Sequence, residues 1–286
     1  MTCTLCPRLC AAERTSARGD GYCRMPAGLR VARAALHQWE EPPISGTRGA
    51  GAVFFSGCTL RCCYCQNGSI SAGGRGKDIT PRRLREIFDE LIAQGAHNIE
   101  LVTATHFLPW ILPALEPRLP VPVVYNCGGY ERVETLRALE GCVDIYLPDF
   151  KYADARLAGQ LSGAADYFPV AADAIREMVR QVGAVRWEGE KVTRGVIIRH
   201  LILPGNVENS LRVLDWIGEN FAPGEVLVSL MRQYTPMGGL PAPFDRRVTD
   251  EEYDAVLSWM YLNELEGFTQ EAEAADTGFI PDFLAD

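Results

Sequence analysis

Six short apolar segments alternating with helical patterns limit the folds open to this chain more than any other feature. They are Ala52–Ser56, Ile99–Ala104, Val121–Asn126, Val143–Leu147, Gly195–Leu203 and Glu225–Met231. Each is bounded by Gly, Pro or polar residues and is mostly continuous in its apolarity, as expected of strands buried on both faces of a parallel sheet. The helices between them carry start signals. Thr80 precedes Pro81, and Leu84, Ile87, Phe88, Leu91 and Ile92 then form an apolar stripe that ends at Gly95. Thr249 and Glu252 form a capping box near the C-terminus. Further helices are expected over Tyr130–Glu140, Ala171–Val182 and Ser210–Asn220, and the long interval between the fourth and fifth strands should hold extra helix. The pattern predicts an α/β fold, an open, partial parallel β/α barrel of about six units, with its site at the C-terminal ends of the strands.

Residues 1–50 read differently. They are cysteine-rich and then broken by Gly and Pro through Glu41-Pro42-Pro43-Ile44-Ser45-Gly46. The expected division is an N-terminal metal-binding extension over 1–50 and the barrel over 51–286. Of ten cysteines, eight fall at positions 3, 6, 10, 23, 58, 62, 63 and 65. Clusters so spaced in a reducing compartment indicate metal ligands rather than disulfides. Cys127 and Cys142 stand apart and read as small core residues. No apolar run reaches the roughly 18 residues of a membrane span, and the start lacks a basic stretch followed by an apolar one. A cytoplasmic protein is therefore expected, with no membrane partner. The net charge of −9, with no basic cluster, also argues against nucleic acid as a partner.

Directly after the first strand stands Cys58-Thr59-Leu60-Arg61-Cys62-Cys63-Tyr64-Cys65-Gln66-Asn67. Three cysteines spaced C-x3-C-x2-C can wrap three corners of an iron–sulfur cube and leave one iron open. A structural zinc loop is the competing reading, but zinc ribbons usually pair C-x2-C units. Cys3, Cys6 and Cys10, with Cys23 twelve residues on, supply four thiolates, enough for a closed [4Fe–4S] cluster or a tetrahedral zinc site. Gly19 and Gly21 permit the turn into Cys23. The reading leans toward a second cluster.

The loop of Cys58, Cys62 and Cys65 resembles the signature of the radical S-adenosylmethionine (SAM) superfamily. Gln66-Asn67 and the cysteine-rich leader are similar to an uncharacterised group near pyruvate formate-lyase activating enzyme. The resemblance implies an oxygen-sensitive [4Fe–4S] cluster on Cys58, Cys62 and Cys65, with SAM on the open iron and Tyr64 bordering the adenine. Cys63 stands where the family pattern has an apolar residue. Asn126 begins a stretch, Asn126-Cys127-Gly128-Gly129-Tyr130, similar to the family's Thr-Asn-Gly element. Asp149 and Lys151 resemble residues that contact the methionyl moiety, and Arg199 one that touches the ribose or carboxylate. The second strand departs from the pattern: in place of Gly-Gly-Glu it ends Val102-Thr103-Ala104-Thr105-His106, and Thr103, Thr105 and His106 are taken as cofactor-binding there. Ser229, Met231, Gln233 and Tyr234 are assigned to substrate, and His37, Glu40 and Glu41 either line the substrate side or form a solvated loop.

The activity so implied is that of an oxidoreductase-like enzyme working anaerobically. It takes an electron from a flavodoxin- or ferredoxin-type donor, cleaves SAM to a 5′-deoxyadenosyl radical, and removes hydrogen from a small molecule, peptide or partner protein. Activation of a glycyl-radical partner enzyme is one alternative. A non-catalytic iron–sulfur or zinc scaffold is the other.

Overall fold

The computed structural model describes residues 2–17, 19–270 and 283. Its strands are β1 (Thr2–Cys3), β2 (Ala12–Glu13), β3 (Leu29–His37), β4 (Ala50–Phe55), β5 (Lys77–Ile79), β6 (Ile99–Val102), β7 (Val123–Cys127), β8 (Ile145–Pro148), β9 (Arg186–Glu188), β10 (Lys191–Leu201), β11 (Leu227–Met231) and β12 (Gly267–Thr269). The α-helices are α1 (Pro42–Ser45), α2 (Gly68–Ser71), α3 (Pro81–Ala93), α4 (Leu108–Ile111), α5 (Val133–Arg137), α6 (Ala155–Ser162), α7 (Tyr167–Val182), α8 (Val207–Asn220) and α9 (Asp250–Leu262).

One sheet runs in the order β12-β11-β10-β8-β7-β6-β4-β3-β5, with β9 hairpinned onto β10, and it does not close. The six expected strands are β4, β6, β7, β8, β10 and β11, all parallel to their neighbours in that run. Three additions frame them. β12 extends the parallel run, while β3 and β5 add an antiparallel edge. β3 belongs to residues 1–50, so the main sheet begins well before residue 51. Among the described residues, the leader that precedes it forms the small β1–β2 ladder and an isolated antiparallel bridge between Arg14 and Gly19.

Alternation along each strand gives the barrel its two faces. Outward residues such as Val53, Leu101, Tyr125, Tyr146, Ile198 and Leu230 pack under the helices in the largest core cluster. Inward, Ala50, Val124, Ile145, Ile197 and Leu227 form an apolar layer at the base of the lumen, and Ile44 from α1 fills its centre without exposure. The segment after β3 thus plugs the barrel from inside. Asn98 holds it by donating to the Ile44 carbonyl at 2.8 Å. Gly46 ends α1 with φ +51, where a Cβ would meet the His97 ring at 2.8 Å.

Helix starts follow the sequence signals. Thr80 accepts from the Arg83 amide to cap α3, and Thr249 and Glu252 make both bonds of the capping box at α9. α5 covers five residues where a helix over Tyr130–Glu140 was expected. The chain turns at Gly129, where the Glu131 amide donates back to the Gly129 carbonyl at 3.0 Å, and Arg132, with the φ and ψ of a strand, stands just before α5. The long interval after β8 holds α6 and α7.

Candidate functional site

One polar step above the apolar base, the same inward positions change character. Glu100 on β6, Asn126 on β7, Arg199 on β10 and Ser229 on β11 stand two residues on from Asn98, Val124, Ile197 and Leu227 along their strands. They are wired together. Arg199 donates from Nε to Asp149 at 2.9 Å, from Nη2 to Asn126 at 2.6 Å and from Nη1 to Glu40 at 3.3 Å. Asn126 passes its amide to Glu100 at 2.7 Å, and Lys151 closes on Asp149 at 2.5 Å. Burial pushes the Asp149 carboxyl up, but Arg199 and then Lys151 outweigh it and hold it below its ordinary value. Asp149 is therefore the ionised centre of the cluster. Glu100 has no such cation of its own: burial, with Glu40 beside it, raises its pKa well above the usual range.

Above this layer lies a cavity of about 290 Å³, whose walls include Cys58, Cys62, Cys65, Tyr64, Thr103, Asn126, Asp149, Lys151, Arg199, Met231, Gln233 and Tyr234. Residues from six different strands or their following loops thus converge on it. The cysteine loop is held close by its glycine: Gly57 has φ +79, and a Cβ there would lie 2.4 Å from Met25 Cγ. Tyr64 shares a hydroxyl bond with Tyr152 at 2.8 Å and packs its ring 5.9 Å from that of Tyr234. Each of three sulfurs accepts a hydrogen bond: Cys58 from the Leu60 amide at 3.3 Å, Cys62 from Ser162 Oγ at 3.0 Å and Cys65 from Ser71 Oγ at 3.5 Å. Cys63 is exposed and lies outside the cavity wall.

Thr103 lines the cavity with φ +60, a left-handed conformation that strains a β-branched residue. Thr105 and His106, grouped with it from the sequence, do not line the cavity. Thr105 donates to the buried Glu131 at 2.7 Å. His106 reaches the Ser56 carbonyl with Nε2, and burial, then the charge of Arg14, takes its pKa down to about 4. It is a neutral structural histidine that ties β6 to the cysteine loop. His37, Glu40 and Glu41, read from the sequence as either lining the substrate side or forming a solvated loop, stand in the wall of this cavity.

The leader docks beside the loop. Arg8 donates to the carbonyls of Thr59 at 2.8 Å, Ser162 at 2.7 Å and Gly163. Cys3 and Cys6 are buried, and the Arg14 guanidinium lies 4.0 Å from Cys3 Sγ. Among the described residues no three His, Cys, Asp or Glu side chains are gathered tightly enough to hold a single ion, the loop thiols and the leader thiols alike.

Residues 52–217 match the model of the radical SAM superfamily, more than half of the sequence. The chain belongs to the radical SAM superfamily. Members of it carry a [4Fe–4S] cluster and use SAM, and they are enzymes. An uncharacterized protein of Methanocaldococcus jannaschii is 27% identical over 268 residues, covering 89% of this chain and 73% of the relative. Two solved structures are similar to this chain in fold. Streptococcus suis SuiB bound to the precursor peptide SuiA matches 76% of this chain at 14% identity, with a TM-score of 0.52. A radical SAM methyltransferase from Sphaerobacter thermophilus matches 77% at 14% identity, with a TM-score of 0.53. This chain spans 47% of the first and 66% of the second, and the likeness is one of fold. No described helix is long and apolar enough to cross a membrane.

Proposed function

We propose that this radical SAM protein reductively cleaves SAM in the cavity above Arg199 and uses the 5′-deoxyadenosyl radical to take hydrogen from a substrate. Cys58, Cys62 and Cys65 would hold the cluster, which when bound supplies one low-potential electron at an iron that no side chain of this loop occupies. The observation that carries this reading is the three sulfurs on the cavity wall, each already given a hydrogen bond, beside an exposed Cys63 that has neither feature. Such outer bonds orient metal ligands and offset thiolate charge. Burial pushes the Cys58 thiol up to about 12, so a bound cation would favour its thiolate by taking the proton's place.

The remaining roles belong to side chains of the polar layer and the cavity wall. Lys151 and Arg199 would orient the methionyl and ribose groups, with Asp149 fixing both cations. Asn126 would accept or donate alongside them. The Thr103 hydroxyl and its left-handed carbonyl would accept from the SAM ammonium where the family motif offers an acid. Tyr64 would border the adenine. Phe54, Leu201 and Met231 give the cavity apolar wall that excludes water from the reacting carbon. Cys3, Cys6, Cys10 and Cys23 would hold a second [4Fe–4S] cluster, and a low-potential flavodoxin or ferredoxin would supply electrons.

The test is Cys58→Ala, purified and reconstituted without oxygen. It should remain soluble, lose the cavity cluster's iron, and make no 5′-deoxyadenosine when given SAM and dithionite. Continued production of 5′-deoxyadenosine by this variant would remove Cys58 from the ligand set.

A further inference from the structure

A run of buried hydroxyls connects the cavity wall to one sulfur of the cysteine loop. Tyr64 is bonded to Tyr152 at 2.8 Å, Tyr152 to Ser162 Oγ at 2.7 Å, and Ser162 Oγ to Cys62 Sγ at 3.0 Å. All three hydroxyl residues are buried, with Tyr152 wholly enclosed. They come from separate places in the fold: Tyr64 from the loop after β4, Tyr152 from the segment after β8, and Ser162 from the last position of α6. Other contacts fix them there. The Ser162 carbonyl accepts from Arg8 at 2.7 Å, the Cys63 amide donates to the neighbouring Leu161 carbonyl at 2.9 Å, and the Tyr152 ring meets that of Tyr167 edge-on at 5.1 Å.

The direction of the run follows from its sulfur end. Each hydroxyl owns a single hydrogen. As a cluster ligand Cys62 is a thiolate and can only accept, so Ser162 spends its hydrogen on the sulfur. The Ser162 oxygen then takes the hydrogen of Tyr152, and the Tyr152 oxygen takes that of Tyr64. All the O–H dipoles therefore point toward Cys62, and hydrogen bonds aligned in this way strengthen one another. The other two sulfurs are served differently. Cys58 accepts from the Leu60 backbone amide at 3.3 Å, and Cys65 from Ser71 Oγ at 3.5 Å.

We propose that Ser162 and Tyr152 are positioning residues that aim a polarised hydrogen bond at Cys62 and thereby raise the reduction potential of the cavity cluster. This rests on the radical SAM reading of the cavity, with Cys62 as a ligand. Reduction adds one electron, taken from the low-potential donor, and part of the added negative charge falls on the sulfurs. A hydrogen directed at a sulfur stabilises the reduced state more than the oxidised one, which is how such donors move a potential upward. No proton is transferred, since every hydrogen stays on its own oxygen. Tyr152 has no hydrogen bond to a sulfur and acts through Ser162. At the far end, Tyr64 has no hydrogen left for the cavity and offers it only an acceptor.

The experiment is an anaerobic redox titration of the holoenzyme without SAM, followed by electron paramagnetic resonance on the cluster signal that changes when SAM is then added. Ser162→Ala keeps the carbonyl that receives Arg8. It should lower the potential, so that at a fixed poise the ratio of reduced to oxidised cluster falls roughly fivefold, the worth of one net hydrogen bond. Tyr152→Phe should move it the same way by less, roughly twofold. The double variant should match Ser162→Ala instead of summing the two, because Tyr152 has nothing to act on once the serine hydroxyl is gone. Iron content should stay at the wild-type level throughout. An unmoved or raised potential in Ser162→Ala overturns the proposal. So does Tyr152→Phe without effect, or a double variant that sums the single shifts. An iron-free wild type overturns the reading of the cavity together with this proposal, whereas an intact cluster indifferent to both hydroxyls overturns this proposal alone.

Discussion

Four cysteines crowd into the eight residues from Cys58 to Cys65, and their surroundings, rather than their spacing, separate them. Cys62 receives Ser162 Oγ, whereas the neighbouring Cys63 turns its side chain outward and uses only its backbone, donating to the Leu161 carbonyl at 2.9 Å. Cys63→Ala should therefore keep full iron content and SAM cleavage within about twofold, while Cys62→Ala loses both. Iron analysis and 5′-deoxyadenosine yield decide it, and loss of iron from Cys63→Ala would reverse the assignment. The same scale explains what the sequence could not reveal at the end of β6. Thr103, Thr105 and His106 sit within four residues, but a left-handed turn at Thr103 sends the next residues beneath the sheet end. There Thr105 meets Glu131 and His106 meets Ser56. No pattern of residue types announces a threonine at φ +60. Only the missing glycines of the family motif marked that turn as unusual.

At the scale of elements, continuity and capping were legible and edges were not. The six central strands read clearly because both faces are buried, so every residue had to be apolar or engaged. β3 did not, because it is antiparallel and half exposed, and its run Leu29-Arg30-Val31-Ala32-Arg33 alternates charge with apolarity. β12 has three residues and no apolar run to find. α9 shows the opposite case, in which local chemistry decides. Glu252 accepts from the Thr249 amide at 2.9 Å and the Gly205 amide at 2.6 Å, and pairs with Arg246 at 2.7 Å. The Arg246 hydrogen bonds chiefly, then those two amides, hold its carboxyl at about 2, below the ordinary value of 4.5. A folded-state pKa below the unfolded one gives stability that is present above about 4.5 and is lost as pH falls toward 2. Glu252→Gln should cost about 1 kcal/mol at pH 7, the size of a capping contact, since Arg246 is partly in solvent and its charge is screened. In urea melts across pH the gap to wild type should narrow below about pH 4.5. A gap that stays constant down to acid would show that the charge plays no part.

For the whole molecule, the arrangement of the leader matters more than its length. The cysteine pattern marked residues 1–23 as a metal site, but nothing in the sequence said where it would dock, because docking is made by single side chains on distant carbonyls. Arg8 reaches Thr59, Ser162 and Gly163; Tyr22 reaches Leu60 at 3.1 Å; Arg61 returns a bond to the Tyr22 carbonyl at 3.2 Å. A Cβ on Gly57 would lie 3.1 Å from the Cys23 carbonyl, so the last leader cysteine abuts the residue before Cys58. Ser162 belongs to both sites, taking Arg8 on its carbonyl and giving its hydroxyl to Cys62. A single zinc ion, with bonds of about 2.3 Å, would draw its thiolates close together, whereas a cube binds each thiolate to a different iron. Four leader thiolates are enough to complete a closed [4Fe–4S] cluster, the reading proposed above. Replacing Cys3, Cys6, Cys10 and Cys23 together by alanine should therefore remove about four of about eight irons per chain, leaving the cavity cluster's share intact. Mössbauer spectra with metal analysis of wild type and variant make the measurement. Because the two sites touch, the variant should also lower the yield of 5′-deoxyadenosine from a protein donor more than from dithionite, which needs no path through the leader. Unchanged iron with loss of one zinc would assign the leader to zinc instead, and would leave the cavity without a second cluster beside it.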